Sequence, residues 1–204
     1  LGYQDRVIAD RRREMGISEG ELVFFSMRAL GPLYRVESVV SAFLRFRERA
    51  EQGLLLISEM GGDGNVERRL REMVRRRGAS SSVRFLGDVP PAEMAKNYAV
   101  SDAVVSYADT DGMPQSLYEA MAAGCFPIFT DLPQYRELLR HKENGYLCST
   151  SDPDDLVKAF GYARSLATRC WESRENHREI RRIADRDREE AKLLEIYRGL
   201  LITK

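Results

Sequence analysis

Six short apolar runs punctuate this chain: LVFF at 22–25, LLLIS at 54–58, VRFL at 83–86, AVVSY at 103–107, FPIF at 126–129 and GYLC at 145–148. Between them the text turns helical. Val36, Val39, Val40, Phe43 and Leu44 recur at the spacing of one helix face, and so do Val66, Leu70, Met73 and Val74. Strands joined by helical crossovers must lie parallel and share one sheet, with helices covering both faces. The alternation therefore predicts an α/β fold, a single Rossmann-like doubly wound parallel sheet of about six strands flanked by helices, up to about residue 168. From Trp171 the text is charged and helical, and 171–204 reads as a C-terminal helical segment packed on the outside. Its expected buried stripe is Ile180, Ile183, Ala184, Ala191, Leu194, Tyr197 and Leu201. Residues 1–204 read as one domain, with no internal repeat or linker.

Charge and cysteine usage remove several classes of function. Thirty-two basic residues balance thirty-two acidic ones, so no overall field draws the chain onto nucleic acid or an anionic membrane. Cys125, Cys148 and Cys170 are odd in number and widely spaced, which fits neither a disulfide framework nor a zinc ligand set. Reduced thiols and a cytoplasmic location are the simplest reading. No apolar run is long enough to span a bilayer, and no signal peptide opens the chain. It begins at Leu1, which suggests a fragment or a processed chain.

In an open parallel sheet, ligands bind beyond the carboxyl ends of the strands. Three loops there stand out. SMRALGPLYR, after the first run, places Arg28 and Arg35 around a turn at Gly31 and Pro32, where both can face an anion; in so arginine-rich a chain they read first as surface cations. SEMGGDGNVERRL, after the second, has Gly61, Gly62 and Gly64 before a helix, without the spacing of a P-loop or dinucleotide fingerprint. A plain turn is the simpler reading.

The third loop is DTDGMPQSLYEAMAAG, 109–124. Pro114 suits a first helical position, leaving the amides of Gln115 and Ser116 free at the positive end of the helix. Glu119 shares a face with Gln115 and Ser116, while Leu117, Ala120, Met121 and Gly124 line the core-facing side. Asp111 precedes the helix. Two acids so placed can accept hydrogen bonds from sugar hydroxyls on either side of a phosphate at the helix start, although isolated acids at this spacing more often compensate the dipole or face water.

These segments together carry a resemblance. DGMPQSLYEAMAAGCFPIFTDLPQYRELL followed by ENGYLCSTSDPDDLVKAF resembles the donor-binding, carboxyl-terminal half of the retaining glycosyltransferases of family 4, group 1, whose GT-B fold sets two Rossmann-like domains face to face. Asp111 and Glu119 match that family's E-x7-E motif, and the resemblance runs from RRREMGISEGELVFFSMR to the terminal LLEIYRGLL. It implies transfer of a sugar from a nucleoside diphosphate sugar to a glycan or lipid acceptor with retention. Asp111 would contact the transferred sugar and Glu119 the ribose. Amides around Gly112, Met113, Gln115 and Ser116 would grip sugar and diphosphate. Arg28, with Arg35, would neutralise the departing phosphate, and Arg84, Phe85 and Leu86 would frame the base, mostly through main chain. No cofactor or metal is implied, and the acceptor would be held by an amino-terminal domain absent from these residues. Three positions depart from the pattern: Asp111 stands for a Glu, GMP for GFG, and Tyr34 or Arg35 for a lysine.

Other motifs read as structural. Asp109 and Asp111 spell D-x-D, but the spacing to Glu119 already assigns Asp111, and two carboxylates do not define an octahedral magnesium site. His141 and His177 lie in charged, helical text without partners and read as solvated. RRLREMVRRR keeps Leu70, Met73 and Val74 on one face, so its arginines read as a solvated surface; attraction to anionic lipid head groups, as a peripheral association at the cytoplasmic membrane face, is the minor alternative. Aromatic interleaving for nucleic acid is absent. An enzyme half is thus the first reading. A nucleotide-sugar-binding module that has lost transfer is the second, favoured by the Asp and Pro departures. A receiver-like signalling domain is the third, and it lacks an acid pocket after the first run.

Overall fold

Each of the six apolar runs forms a strand within one residue of its expected bounds: β1 (Val23–Ser26), β2 (Leu54–Ile57), β3 (Val83–Phe85), β4 (Ala103–Ser106), β5 (Phe126–Thr130) and β6 (Tyr146–Cys148). The computed structural model describes residues 3–49, 52–59, 61, 63–167 and 174–202. Gly62, Cys170 and Trp171 lie outside these, as does the side chain of Leu201. All pairings are parallel, in the order β3-β2-β1-β4-β5-β6. Among the described residues the helices are α1 (Tyr3–Glu14), α2 (Val36–Glu48), α3 (Gly64–Arg76), α4 (Pro91–Val100), α5 (Gln115–Ala122), α6 (Asp155–Ala167), α7 (Arg174–Ile183) and α8 (Arg186–Ile202).

The strands are apolar on both faces because helices cover both. Phe24, Leu55, Ile57 and Val105 point toward α2, α3 and α6, whereas Phe25, Leu54, Leu56 and Val104 point toward α4, α5 and α7. In the first layer Phe24, Phe43, Phe46 and Phe160 form one aromatic cluster, with Phe24 and Phe160 edge to face at 4.8 Å and 89°. That cluster ties β1 to α2 and α6. Pro127 is accommodated within β5 because β6 begins pairing one residue later, at Ile128↔Tyr146; the amide it lacks is not missed by that ladder.

The carboxyl-terminal stripe divides. Ile180 of α7 is buried beneath α5 with Ile183 partly covered. In α8, by contrast, Ala191, Leu194 and Tyr197 of that stripe are exposed, and so are their neighbours Leu193 and Ile196. The basic run in α3 does face solvent, but its arginines are matched to glutamates: Arg71 to Glu67 and Glu59, Arg75 and Arg76 to Glu72, and Arg69 to Glu37. No helix among the described residues is long and apolar enough to cross a membrane.

The aromatic cluster sets a stability test. Phe160 is fully buried in contact with three other rings, so Phe160→Ala is expected to lower unfolding free energy by about 3–5 kcal/mol. Urea denaturation followed by circular dichroism measures the loss.

Candidate functional site

The strand order reverses between β1 and β4. The chain leaves β1 toward β2 and returns to pair β4 on the other side, so the loops after these two strands diverge and leave a crevice. Both arginines of the first loop and both acids of the third are delivered to this end of the sheet.

Arg28 follows β1 by two residues. Its Nε donates to Ser106 Oγ at the end of β4 (2.8 Å), its Nη2 donates to Asp111 Oδ2, and its guanidinium lies 5.0 Å from the centroid of the Tyr34 ring. The Arg28 and Asp111 side chains are only 11% and 16% exposed, so this is a largely desolvated ion pair. Asp111 is held from further directions. Tyr135 Oη donates to Oδ2 (2.8 Å), the Gly112 amide donates to Oδ1 (2.9 Å), and the Gln134 side-chain amide donates to the Asp111 main-chain oxygen. Burial, then the hydrogen bond to Asp111, pushes the Tyr135 phenol well up, so it stays protonated through neutral pH.

Arg35 does not join this cluster. It caps α2 in a left-handed conformation (φ 45°, ψ 40°), pairs with Asp109 (3.1 Å) and stacks 5.3 Å from the Tyr107 ring. The two acids of D-x-D are thus taken by two different arginines.

Pro114 is extended (φ −78°, ψ 138°) and caps α5 instead of opening it, one residue before the expected start. The consequence for the amides is the same. As the first two residues of α5, Gln115 and Ser116 have no acceptor within the helix, whereas the Leu117 amide bonds to the Pro114 carbonyl (3.0 Å). Leu117, Ala120 and Met121 are fully buried and Glu119 is partly exposed, as their spacing requires. Gly124, left-handed at φ +80°, ends the helix and lets the Cys125 amide reach the Ala120 carbonyl (2.9 Å). Tyr98 of α4 lies within the electrostatic reach of Glu119 and Arg28. Its buried hydroxyl has no partner in bonding geometry among the described residues. Burial pushes its phenol up, the charge of Glu119 pushes further, and that of Arg28 pulls back; Glu119 and Arg28 thus both act on one buried group.

Other expected residues are placed differently. Gly112 is exposed with its amide already on Asp111, and Met113 packs partly buried on the α5 side of the sheet. The Arg84 side chain turns away, donating to the carbonyls of Met15 and Gly16. Phe85 lies beneath the Arg71 guanidinium at 4.3 Å, and the Leu86 amide is committed to Ile57 (2.9 Å). At α3 the Asp63 carboxylate accepts from the Asn65 amide (2.8 Å), so that helix start is already capped by an acid. His141 lies in an isolated bridge to Gly145, not a helix, and accepts from the Leu147 amide (3.2 Å); His177 contacts the Ala122 carbonyl (2.6 Å). Ser106, Gln134, Tyr135 and Tyr98 escaped the sequence reading, and Tyr34 entered it only as a stand-in for a lysine. A tyrosine or serine has no local signature of such a role, and each meets its partner only through the sheet order.

Comparison with known proteins agrees with the fold. The family model described as "Glycosyl transferases group 1" matches residues 7–181. N-acetyl-alpha-D-glucosaminyl L-malate synthase of Bacillus anthracis is 29% identical over 178 residues, 84% of this chain and 45% of that protein. The chain spans less than half the length of the curated relatives it matches. A glycosyltransferase from Rickettsia africae superposes with a TM-score of 0.83 at 13% identity, over 100% of this chain and 54% of that one. The pneumococcal O-GlcNAc transferase GtfA, in complex with UDP and GlcNAc, superposes with a TM-score of 0.73 at 16% identity, over 90% and 37%.

The desolvated ion pair makes a prediction of its own. Arg28→Ala strands the Asp111 carboxylate and is expected to cost about 2–3 kcal/mol, less than a fully buried pair because both groups retain some solvent. The double variant Arg28→Ala, Asp111→Ala should cost less than the sum of the single changes. A double-mutant cycle by urea denaturation tests this.

Proposed function

The chain belongs to the glycosyl transferases group 1 family, and on that premise we propose that it is the donor-binding half of an enzyme moving a sugar from a nucleoside diphosphate sugar to a glycan or lipid acceptor, with retention of configuration. The observation that carries this reading is the meeting of Arg28 and Asp111 at the β1/β4 reversal, beside the open start of α5. UDP in the complex of a structure sharing this fold supports a nucleotide donor.

In this proposal the nucleoside diphosphate is the leaving group, and negative charge accumulates on it as the bond to the sugar breaks. The Gln115 and Ser116 amides and the guanidinium of Arg28 stabilise that charge without a metal, in a crevice where such dipoles act more strongly than in water. Asp111 receives hydroxyls of the sugar and Glu119 those of the ribose. Arg35, already paired with Asp109, contributes at the rim. The acceptor and its pocket belong to the remainder of the protein, as does any peripheral membrane contact. The module reading rests on the mutual neutralisation of Arg28 and Asp111; sustained absence of transfer by the full-length protein together with normal nucleotide affinity would select it.

Screening UDP, GDP and ADP sugars for thermal stabilisation identifies the base, because a ligand that binds the folded form raises its apparent stability. Glu119→Ala should then weaken nucleoside diphosphate binding by about 1.5–3 kcal/mol in calorimetry. An unchanged affinity would remove Glu119 from the site. Arg28→Ala should reduce affinity for the diphosphate far more than for the bare nucleoside, and equal losses would contradict a phosphate role.

A further inference from the structure

We infer that Tyr135 is a positioning residue for Asp111 and that, with Gln134, it governs recognition of the transferred sugar separately from recognition of the nucleotide. The inference rests on the donor-site reading above. Both residues lie in the short 3-10 turn Pro133–Glu137 after β5, and they grip Asp111 at two points, Tyr135 on the carboxylate and Gln134 on the main-chain oxygen. Tyr135 is fully buried and its ring stands edge to face on Phe129 at 5.3 Å. Its hydroxyl is therefore presented from a fixed frame, not from a swinging side chain.

An aspartate reaches one methylene less far than a glutamate. The loop carrying it must be drawn toward whatever it serves, and the two bonds from this turn draw it toward β5. The acceptor count shows why the hydroxyl matters. An ionised carboxylate offers about four lone-pair positions. Arg28, Tyr135 and the Gly112 amide fill three of those on Asp111, two on Oδ2 and one on Oδ1. That count leaves one position, on Oδ1, for a single donor such as a sugar hydroxyl. A diphosphate competing for the Arg28 guanidinium weakens one of these restraints. Tyr135, which has no such competitor, still fixes the plane of the carboxylate.

Calorimetry on the full-length protein tests this with UDP against UDP-glucose and UDP-N-acetylglucosamine, GDP against GDP-mannose, and ADP against ADP-glucose. For the base that binds, the wild type is expected to prefer the sugar conjugate. Tyr135→Phe should keep the bare nucleotide affinity within about twofold while the preference for the conjugate falls about tenfold, as expected for one lost hydrogen bond to a charged group. Gln134→Ala should move the same ratio in the same direction, and it decides the matter if Tyr135→Phe does not fold by circular dichroism. Equal losses for nucleotide and conjugate would reduce Tyr135 to a structural role and overturn the inference, as would no change in either. A wild type that binds nucleotide but does not prefer a conjugate overturns the inference alone. A wild type that binds none of these nucleotides overturns the donor-site reading, and the inference with it.

Discussion

The central constraint is the position of β1, paired in parallel with β2 on one side and β4 on the other. Parallel strands send all their carboxyl ends to one edge, and the reversal of order at β1 parts the loops there. Everything the site contains follows from that parting. Arg28 arrives from β1, Ser106 and Asp111 from β4, and Tyr135 from β5; residues up to 83 positions apart in sequence are thereby held in hydrogen bonds.

The two layers of the core do different work for this edge. On one side the phenylalanine cluster locks α2 and α6 to β1 and so fixes where the Arg28 loop ends. On the other, Leu117, Ala120 and Met121 seat α5 on the sheet with its amides outward, and Ile180 of α7 closes over it. The charged groups are therefore held by apolar packing on both sides, which is what keeps a largely desolvated ion pair in register despite its solvation cost.

Strand positions and the α5 face were legible in the sequence because both depend on local periodicity, and the six runs became six strands with one-residue adjustments. The second half of the C-terminal stripe was not, since periodicity reveals an apolar face without showing what covers it; Leu194 and Tyr197 have the expected spacing yet are exposed. At the site, Arg28 and Asp111 were singled out as candidates by type and spacing and given roles only through the family resemblance; their mutual pairing was not foreseen, and neither was Arg35's separate bond to Asp109. Pro114 differed by one position because proline suits both an extended cap and a first helical residue, and only the dihedral angle distinguishes them. The contributions of Tyr135 and Gln134 depend on a turn folding back across two strands. No local pattern encodes that.

The outermost strands of the sheet, β3 and β6, are three residues each, against five for β5 in its interior. An unpaired strand margin is a template on which a foreign chain can add itself, and the hazard grows with its length. Here the margins offer only a rung or two apiece, and Arg84 on β3 is already drawn back to the carbonyls of Met15 and Gly16. The taper from centre to rim therefore discourages fibril-like stacking at crowded concentrations.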